Sequence, residues 1–242
     1  MAAPRIHWIS AEDPPDAFPD IDAALEEPNG LLAAGGDLSD ARLLAAYRRG
    51  IFPWYEEGQP VLWWSPRPRC IIRPSRLHLS RRTERALRGS GYTVTFNRQF
   101  RSVVERCAAP REAQAGTWIT DDMMTAYDRL HRRGWAHSVE ILSGNALVGG
   151  LYGIAIGRIF FGESMFSDGR DGSKAALLAL CRQLTAHDCP LLDCQVESGH
   201  LLSLGAELIE RERFLATLDD ACEPQRPMTF LPSAPQPIEA LL

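Results

Sequence analysis

Three consecutive strand patterns near the middle of the chain constrain its fold more than any other feature. They cover residues 139–142, 147–156 and 158–166, and turn-forming glycines at 144 and 157 separate them. Strands joined by such tight turns should lie side by side in one sheet. A helix over 173–186, a strand over 191–196 and a helix over 211–218 follow. Strands in succession, then helix, strand and helix, predict an α+β fold with the last of these strands buried in the sheet.

The first half of the chain also alternates between helix and strand signals. Ser39 begins a predicted helix that has an acidic first turn, a basic last turn and a terminal Gly50. Strands are predicted over 61–64, 70–72 and 92–96. Further helices are predicted after Ser80, Asn97 and Thr120.

The sequence disfavours both an exported protein and a membrane protein. The N-terminus lacks the basic and apolar regions of a signal peptide, and the longest apolar stretch, 147–161, is interrupted by glycines and an arginine. We therefore expect a cytoplasmic protein without membrane contact.

The six cysteines form no CxxC pair, which favours free buried thiols. His187, Cys189, Cys194 and His200 lie close in sequence, but their spacing fits no standard zinc site, and we expect no metal.

Charge is distributed unevenly along the chain. The net charge is -5, but residues 1–66 carry a net -7, residues 67–111 a net +10 and residues 112–242 a net -8. The middle segment, which we call the arginine block, contains twelve arginines and only two acidic residues. This clustering predicts a phosphate-binding face. The alternative is an ordinary solvated surface in a chain that prefers arginine to lysine.

Acidic and amide side chains in two predicted strands are the candidates for chemistry. Period-two alternation places Asp193 and Gln195 on one face of the strand 191–196, and Glu163 lies near the end of the strand before it. Buried carboxylates are unfavourable unless a cationic or polar group meets them, and an incoming amine is such a group. The alternative is a buried polar pair bonded to the backbone.

Glycines and a tryptophan mark two further features. Gly149, Gly150 and Gly153 interrupt the strand 147–156, which indicates either sheet curvature or the close approach of a ligand or another backbone. Trp54 follows a helix in a Pro-Trp-Tyr loop, which is not an obvious core position. A partly exposed tryptophan beside basic residues is suited to stacking on a nucleobase.

Short motifs along residues 18–218 occur together in one family. In order they are FP (18–19), EPNGLLA (27–33), GGDL (35–38), YRRGIFPW (47–54), WWSP (63–66), GTWIT (116–120), GESMFS (162–167) and DCQV (193–196). Each motif alone is weak, but their combination in register is specific. The chain resembles leucyl/phenylalanyl-tRNA-protein transferase.

The resemblance implies two domains and an aminoacyl-transfer activity. A small N-terminal domain would cover 1–66, and a larger domain over 67–242, which includes the arginine block, would be related to the acyl-CoA N-acyltransferase fold. The implied activity is transfer of Leu or Phe from aminoacyl-tRNA to proteins that begin with Arg or Lys, which marks them for N-end-rule degradation. The implied partners are the aminoacyl-tRNA and the acceptor protein, no cofactor is implied, and we expect a monomer.

The resemblance also implies roles for individual residues. Trp54 and Trp118 would hold the terminal adenosine, Leu151, Phe160 and Met165 would line the pocket for the Leu or Phe side chain, and Ser198 would contact the same 3′ end. Glu163, Asp193 and Gln195 would be catalytic and meet the incoming amine. The acceptor stem would be bound by Arg76, Arg81, Arg82, Arg85 and Arg88. The segment 197–200, which contains Ser198, departs from the family pattern.

The implied reaction is aminolysis of an activated ester, which requires aligned substrates and a neutral amine but no metal or ATP. We expect Asp193 to polarise Gln195, which orients the amine, and Glu163 to fix this geometry; a ribose hydroxyl is the alternative proton carrier. An acetyl-CoA-dependent N-acetyltransferase is an alternative function, but the segment 170–175 lacks the glycine of a pyrophosphate loop and adds an acid. Lys174, the only lysine, lies there and fits either a function or a solvated helix turn. A non-catalytic tRNA-binding module would leave the buried acids unexplained.

Overall fold

A computed structural model describes residues 6–109, 119–223, 227, 229, 231–232 and 234–242, in which strands and helices alternate. The strands are β1 His7–Ile9, β2 Leu31–Gly35, β3 Phe52–Pro53, β4 Leu62–Trp64, β5 Arg69–Ile72, β6 Tyr92–Phe96, β7 Ala136–Ser143, β8 Ala146–Ile156, β9 Ile159–Ser167, β10 Leu191–Gln195, β11 Glu207–Ile209 and β12 Gln236–Pro237. The α-helices are α1 Asp40–Arg48, α2 Arg81–Arg88, α3 Phe100–Ala108, α4 Asp121–Arg132, α5 Gly172–Ala186, α6 Gly199–Ser203 and α7 Arg211–Ala221. Short 3₁₀ helices cover Ile21–Ala23, Pro74–Arg76 and Ile238–Leu241.

Side-chain caps determine where several helices begin. Ser39, Ser80 and Thr120 each accept a hydrogen bond from the backbone N–H three residues ahead, which confirms the predicted starts of α1, α2 and α4. The predicted start after Asn97 was early, because α3 begins at Phe100. Asn97 instead adopts a positive φ of 60°, and its side-chain oxygen accepts a hydrogen bond from the backbone of Ser138.

The large sheet is mixed and contains the three predicted central strands. Among the described residues its order is β11-β5-β10-β9-β8-β7-β6-β12. Strands β7, β8 and β9 are antiparallel neighbours, whereas β10 runs parallel to β9 after the crossover helix α5. The α+β class and the central place of β10 are confirmed. β10 is not the last strand, however, because β11 and β12 are added at the two edges.

Helices cover both faces of the large sheet. Helix α5 packs with residues such as Ala155 and Phe160 in one hydrophobic cluster, while α3 and α4 pack with Ile154 and Phe161 in another. The second cluster also contains Trp63 of the small sheet, whose order is β1-β2-β4-β3. The domain boundary after residue 66 and the kinship with the acyl-CoA N-acyltransferase fold stay predictions. Within the described ranges, no helix is long and apolar enough to cross a membrane.

The glycines of β8 allow other backbone segments to approach closely. A Cβ atom on Gly149 would lie 2.6 Å from the Cα of Gly172 at the start of α5. A Cβ on Gly153 would collide with the carbonyl oxygen of Phe161. These contacts favour the close approach of another backbone as the reason for the glycines, over sheet curvature or the approach of a ligand.

Strands β9 and β10 separate beyond their first three residues, and this separation positions the site. Their parallel pairing ends at Phe161 and Asp193. Just beyond this point, the register between β9 and β8 shifts, and Glu163 has no partner residue on β8. The register between β10 and β5 also shifts, and Cys194 has no partner residue on β5. Bulges of this kind re-aim side chains and are frequent near active sites.

Candidate active site

Glu163 is held by two buried tyrosines from different helices. The hydroxyl of Tyr47 on α1 donates to Oε1 at 2.7 Å, and that of Tyr127 on α4 donates to Oε2 at 2.7 Å. The two hydroxyl oxygens are themselves 2.6 Å apart. Burial raises the pKa of the Glu163 carboxyl to about 7, although hydrogen bonds that the two tyrosines donate to an ionised carboxylate act to lower it. This carboxyl can therefore exchange a proton near neutral pH.

Asp193 has a different environment, because it is paired with a cation. It is fully buried, and Arg69 of β5, which is 1% exposed, contacts it through Nε at 2.8 Å and Nη2 at 2.7 Å. The Arg69 guanidinium lies between the rings of Phe52 and Phe214, at 4.9 and 4.7 Å from their centroids. Such a bidentate pair fixes both partners and neutralises the charge of the carboxylate.

Gln195 connects the two carboxyl groups. Its backbone N–H donates to Asp193 Oδ1 at 3.0 Å, and its side-chain Nε2 donates to Glu163 Oε1 at 3.4 Å. The φ of Gln195 is 56°, a left-handed conformation that is unfavourable for a residue other than glycine. Asp193 therefore contacts the backbone of Gln195, not its amide, and acts to hold this turn of the chain.

Two cavities meet at these residues. The first has a volume of about 100 Å³ and is mainly apolar; its wall includes Leu151, Met165, Leu177, Leu180, Leu192 and Leu201. The second has a volume of about 160 Å³ and lies against Phe52, Pro53 and Trp54. Glu163, Cys194 and Gln195 line both cavities. Because Cys194 and Gln195 are neighbours that both face the cavities, the bulge has broken the predicted period-two alternation.

The predicted 3′-end residues are found in different settings. Trp54 lines the second cavity with 42% of its surface exposed, and Leu151 and Met165 line the first. Phe160 is fully buried in the cluster behind that cavity and does not line it. Ser198 caps α6 through a 3.2 Å bond from the N–H of Leu201 and lines neither cavity. Trp118 lies outside the described residues.

The described part of the arginine block contains arginines in ion pairs and arginines outside them. Members such as Arg73, Arg101 and Arg106 form ion pairs with nearby acids. The five arginines predicted to bind tRNA are exposed and form no ion pair with any described residue: Arg76 on the 3₁₀ helix and Arg81, Arg82, Arg85 and Arg88 on α2. These five arginines form an exposed positive surface, which we call the α2 surface.

The segment around Lys174 is an internal ion-pair cluster. Lys174 Nζ lies 2.7 Å from Asp171 Oδ1, and Asp171 precedes α5 with a φ of 58°. A carboxylate at a helix N-terminus opposes the binding of a pyrophosphate there. Lys174 is thus partly buried and paired with an acid of its own segment, and is not a fully solvated lysine.

Sequence reasoning missed three residues of the site, namely Arg69, Tyr47 and Tyr127. Arg69 was counted in the basic block, although a charged residue directly beside the apolar run Cys70–Ile72 was a usable signal. Tyr47 lies in the motif YRRGIFPW, but nothing in that motif indicates its partner. Tyr127 gave no local signal, because its contacts come from residues 80 and 36 positions away.

Comparison with known proteins adds independent information. Two family models match: the leucyl/phenylalanyl-tRNA protein transferase N-terminal domain at residues 36–67 and leucyl/phenylalanyl-tRNA protein transferase at residues 71–219. A leucyl/phenylalanyl-tRNA–protein transferase from Pseudomonas paraeruginosa is 57% identical over 81% of this chain and 87% of its own. Those from Hahella chejuensis and Alcanivorax borkumensis are 56% and 54% identical over 89% and 96% of this chain, and 91% of each relative is covered. This chain therefore belongs to the leucyl/phenylalanyl-tRNA–protein transferase family.

Proposed function

We propose that this protein transfers Leu or Phe from aminoacyl-tRNA to the α-amino group of an acceptor protein that begins with Arg or Lys, which marks that protein for N-end-rule degradation. The observation that carries the proposal is the meeting of the two cavities at Glu163 and Gln195. One cavity suits an apolar side chain and the other a stacked base. The ester that joins the two would then lie beside an amide and a carboxyl group.

Each cavity matches one part of the proposed donor. The leucine-rich wall of the first offers apolar contact to an isobutyl or benzyl group. Trp54 at the second presents a partly exposed indole for stacking on adenine, and we propose Trp118 as its partner in this role. The α2 surface supplies positive charge for phosphates of the acceptor stem.

The reaction needs alignment more than activation, because an ester is already reactive toward a neutral amine. We assign Gln195 the role of orienting the amine, and Asp193 with Arg69 the role of holding the Gln195 backbone in its left-handed conformation. This changes the predicted role of Asp193 from polarising an amide to positioning a backbone. The Asp171–Lys174 pair argues against coenzyme A at the start of α5.

A peptide-labelling assay tests the proposal. Protein is incubated with labelled Leu-tRNA or Phe-tRNA and a peptide that begins with Arg, beside the same peptide with an acetylated N-terminus and one that begins with Glu. We expect label only in the first peptide. Label in the acetylated peptide, or in none, would overturn the proposed function. Sedimentation of the free protein tests the proposed monomer, and limited proteolysis near residue 66 tests the proposed domain boundary.

A further inference from the structure

The ring of oxygen atoms formed by Tyr47, Tyr127 and Glu163 sets a constraint on protons. Three oxygen–oxygen contacts of 2.6, 2.7 and 2.7 Å close the ring. All three have the length of O–H···O hydrogen bonds, and each such bond needs one hydrogen atom. Two tyrosine hydroxyls provide two hydrogens, so an ionised Glu163 would leave one contact as two facing lone pairs. The ring is complete only if Glu163 carries the third hydrogen.

The contacts of Glu163 also indicate which oxygen holds that hydrogen. Oε1 accepts from Tyr47 and faces the side-chain Nε2 of Gln195, so it behaves as the carbonyl oxygen. Oε2 contacts only the hydroxyl of Tyr127 among these groups. Tyr127 donates to Oε2 when Glu163 is ionised, and this direction reverses when Glu163 is protonated, so that Oε2 donates to the Tyr127 oxygen. Tyr127 then donates to Tyr47, and Tyr47 to Oε1.

The surrounding charges agree with a protonated Glu163. The titratable or polar groups that act on the ring from neighbouring elements are Tyr152 of β8, Asp193 and Gln195 of β10, and Arg69 of β5. Arg69 is the cation of this set, and Asp193 pairs with it through two hydrogen bonds. These groups therefore include no unpaired cation, which is the kind of group that would favour an ionised Glu163.

We propose that Glu163, Tyr47 and Tyr127 form one proton-holding unit that removes a proton from the α-ammonium group of the acceptor, an inference that rests on the proposed function. Glu163 is the catalytic residue because it lines both cavities. The tyrosines are positioning residues that act through it. The ionised unit lacks one ring hydrogen and regains it from the ammonium group.

The protons and bonds of the transfer balance with this role. The ammonium group gives one proton to Glu163, and its nitrogen then forms the C–N bond with the ester carbon. The C–O bond to the ribose breaks, and a second nitrogen proton goes to the departing ribose oxygen. The third stays on the amide, and the unit returns its proton to solvent. An ammonium pKa of about 8 is close to that of Glu163, which is the condition for efficient proton transfer.

Conservative variants distinguish this unit from a carboxylate with two ordinary donors. If the tyrosines only donate to an ionised carboxylate, Tyr127→Phe removes a stabilising bond and raises the pKa of Glu163. If the ring is closed by a proton on Glu163, the same change removes two hydrogen bonds from the protonated unit, Oε2 to Tyr127 and Tyr127 to Tyr47, but only one from the ionised unit, and so lowers that pKa. Glu163→Gln keeps the ring closed, since the amide donates to Tyr127 and accepts from Tyr47, but it can take no proton. Tyr92→Phe on β6, which removes a hydroxyl that donates to the carbonyl oxygen of Arg170 and not to a ring atom, is the matched control.

Two measurements on the full chain test the proposal. In infrared difference spectra of wild type minus Glu163→Gln, we expect the band of a protonated carboxyl group at pH 6. This band should disappear as pH rises through about 7. In Tyr127→Phe the band should disappear at a lower pH. In single-turnover transfer, the rate should rise with pH with the same midpoints, remain unchanged in Tyr92→Phe, and fall about 100-fold or more in Glu163→Gln.

The outcomes separate the two proposals. An absent band at pH 6, or a midpoint that rises in Tyr127→Phe, would overturn the proton-holding unit even if transfer is normal. A Glu163→Gln variant that transfers at the wild-type rate would overturn the catalytic role of Glu163. If wild type itself transfers nothing while the band is present, the proposed function fails and the base role fails with it.

Discussion

Replacing Glu163 with Gln should stabilise the fold above neutral pH relative to wild type. The amide has the size of the carboxyl group, stays neutral, and offers one acceptor to Tyr47 and one donor to Tyr127. The three short contacts of the ring can therefore persist in the variant. The variant loses only the ability to ionise.

The magnitude follows from the pKa of Glu163. Burial raises this pKa from 4.5 to about 7, so the folded state keeps the proton to higher pH than the unfolded state does. Stability from this group is present below about pH 4.5 and is lost as pH rises through about 7. The full loss is ~3 kcal/mol in the free energy of unfolding, of which ~2 kcal/mol falls between about pH 5.5 and 8.5. The side chain at position 163 of the glutamine variant does not titrate, so it contributes no pH dependence to the free energy of unfolding.

Urea denaturation at about pH 5.5, 7 and 8.5, followed by tryptophan fluorescence, measures the effect. The difference between variant and wild type removes the contributions of all other titrating groups. Glu105→Gln, which alters an exposed carboxylate in an ion pair with Arg101, is the control and should show a nearly constant difference. A constant difference for Glu163→Gln as well would mean that its carboxyl ionises as it does in the unfolded chain. The ring would then hold no third hydrogen in the folded protein.

Three further predictions concern the other parts of the site. Arg69→Met should lower the free energy of unfolding by about 3–5 kcal/mol, because it leaves Asp193 buried without its cation, and a second change of Asp193→Leu should restore much of that loss in the same denaturation assay. Arg85→Ala should reduce the slope of log K against log salt for tRNA binding by about 1, whereas Arg101→Ala, whose side chain is already paired, should leave the slope unchanged. Trp54→Ala should weaken binding of an aminoacyl-adenosine analogue by about 1–3 kcal/mol in calorimetry, while Trp54→Phe should retain most of the affinity.

The sequence was sufficient where structure depends on local signals. The starts of α1, α2 and α4 follow from single capping residues, and the three central strands follow from turn glycines and apolar runs. The start of α3 was misplaced because Asn97 resembles a cap, although its side chain bonds across to the neighbouring strand at Ser138. That bond joins residues 41 positions apart, and no local pattern records it.

The sequence indicated which strands carry the polar residues of the site, but not which side chains those residues contact. Glu163, Asp193 and Gln195 stood out as polar residues in apolar strands. Alternation then placed Asp193 and Gln195 on one face, and a bulge that sequence patterns do not reveal turned Gln195 toward the cavities. Arg69 lies 124 positions from Asp193, so their pairing depends on the register of β5 against β10, which is known only once the sheet has formed.

The two carboxyl groups of the site have opposite surroundings, and this difference separates their tasks. Asp193 is paired with a fixed cation and adds no net charge, so it is suited to holding the Gln195 backbone. Glu163 has hydroxyl groups as its direct partners, so its charge state can change. Gln195 contacts both, through its backbone on one side and its amide on the other. Because the amine must lose a proton at the place where it is oriented, the carboxyl beside that amide must be the one without a permanent cation.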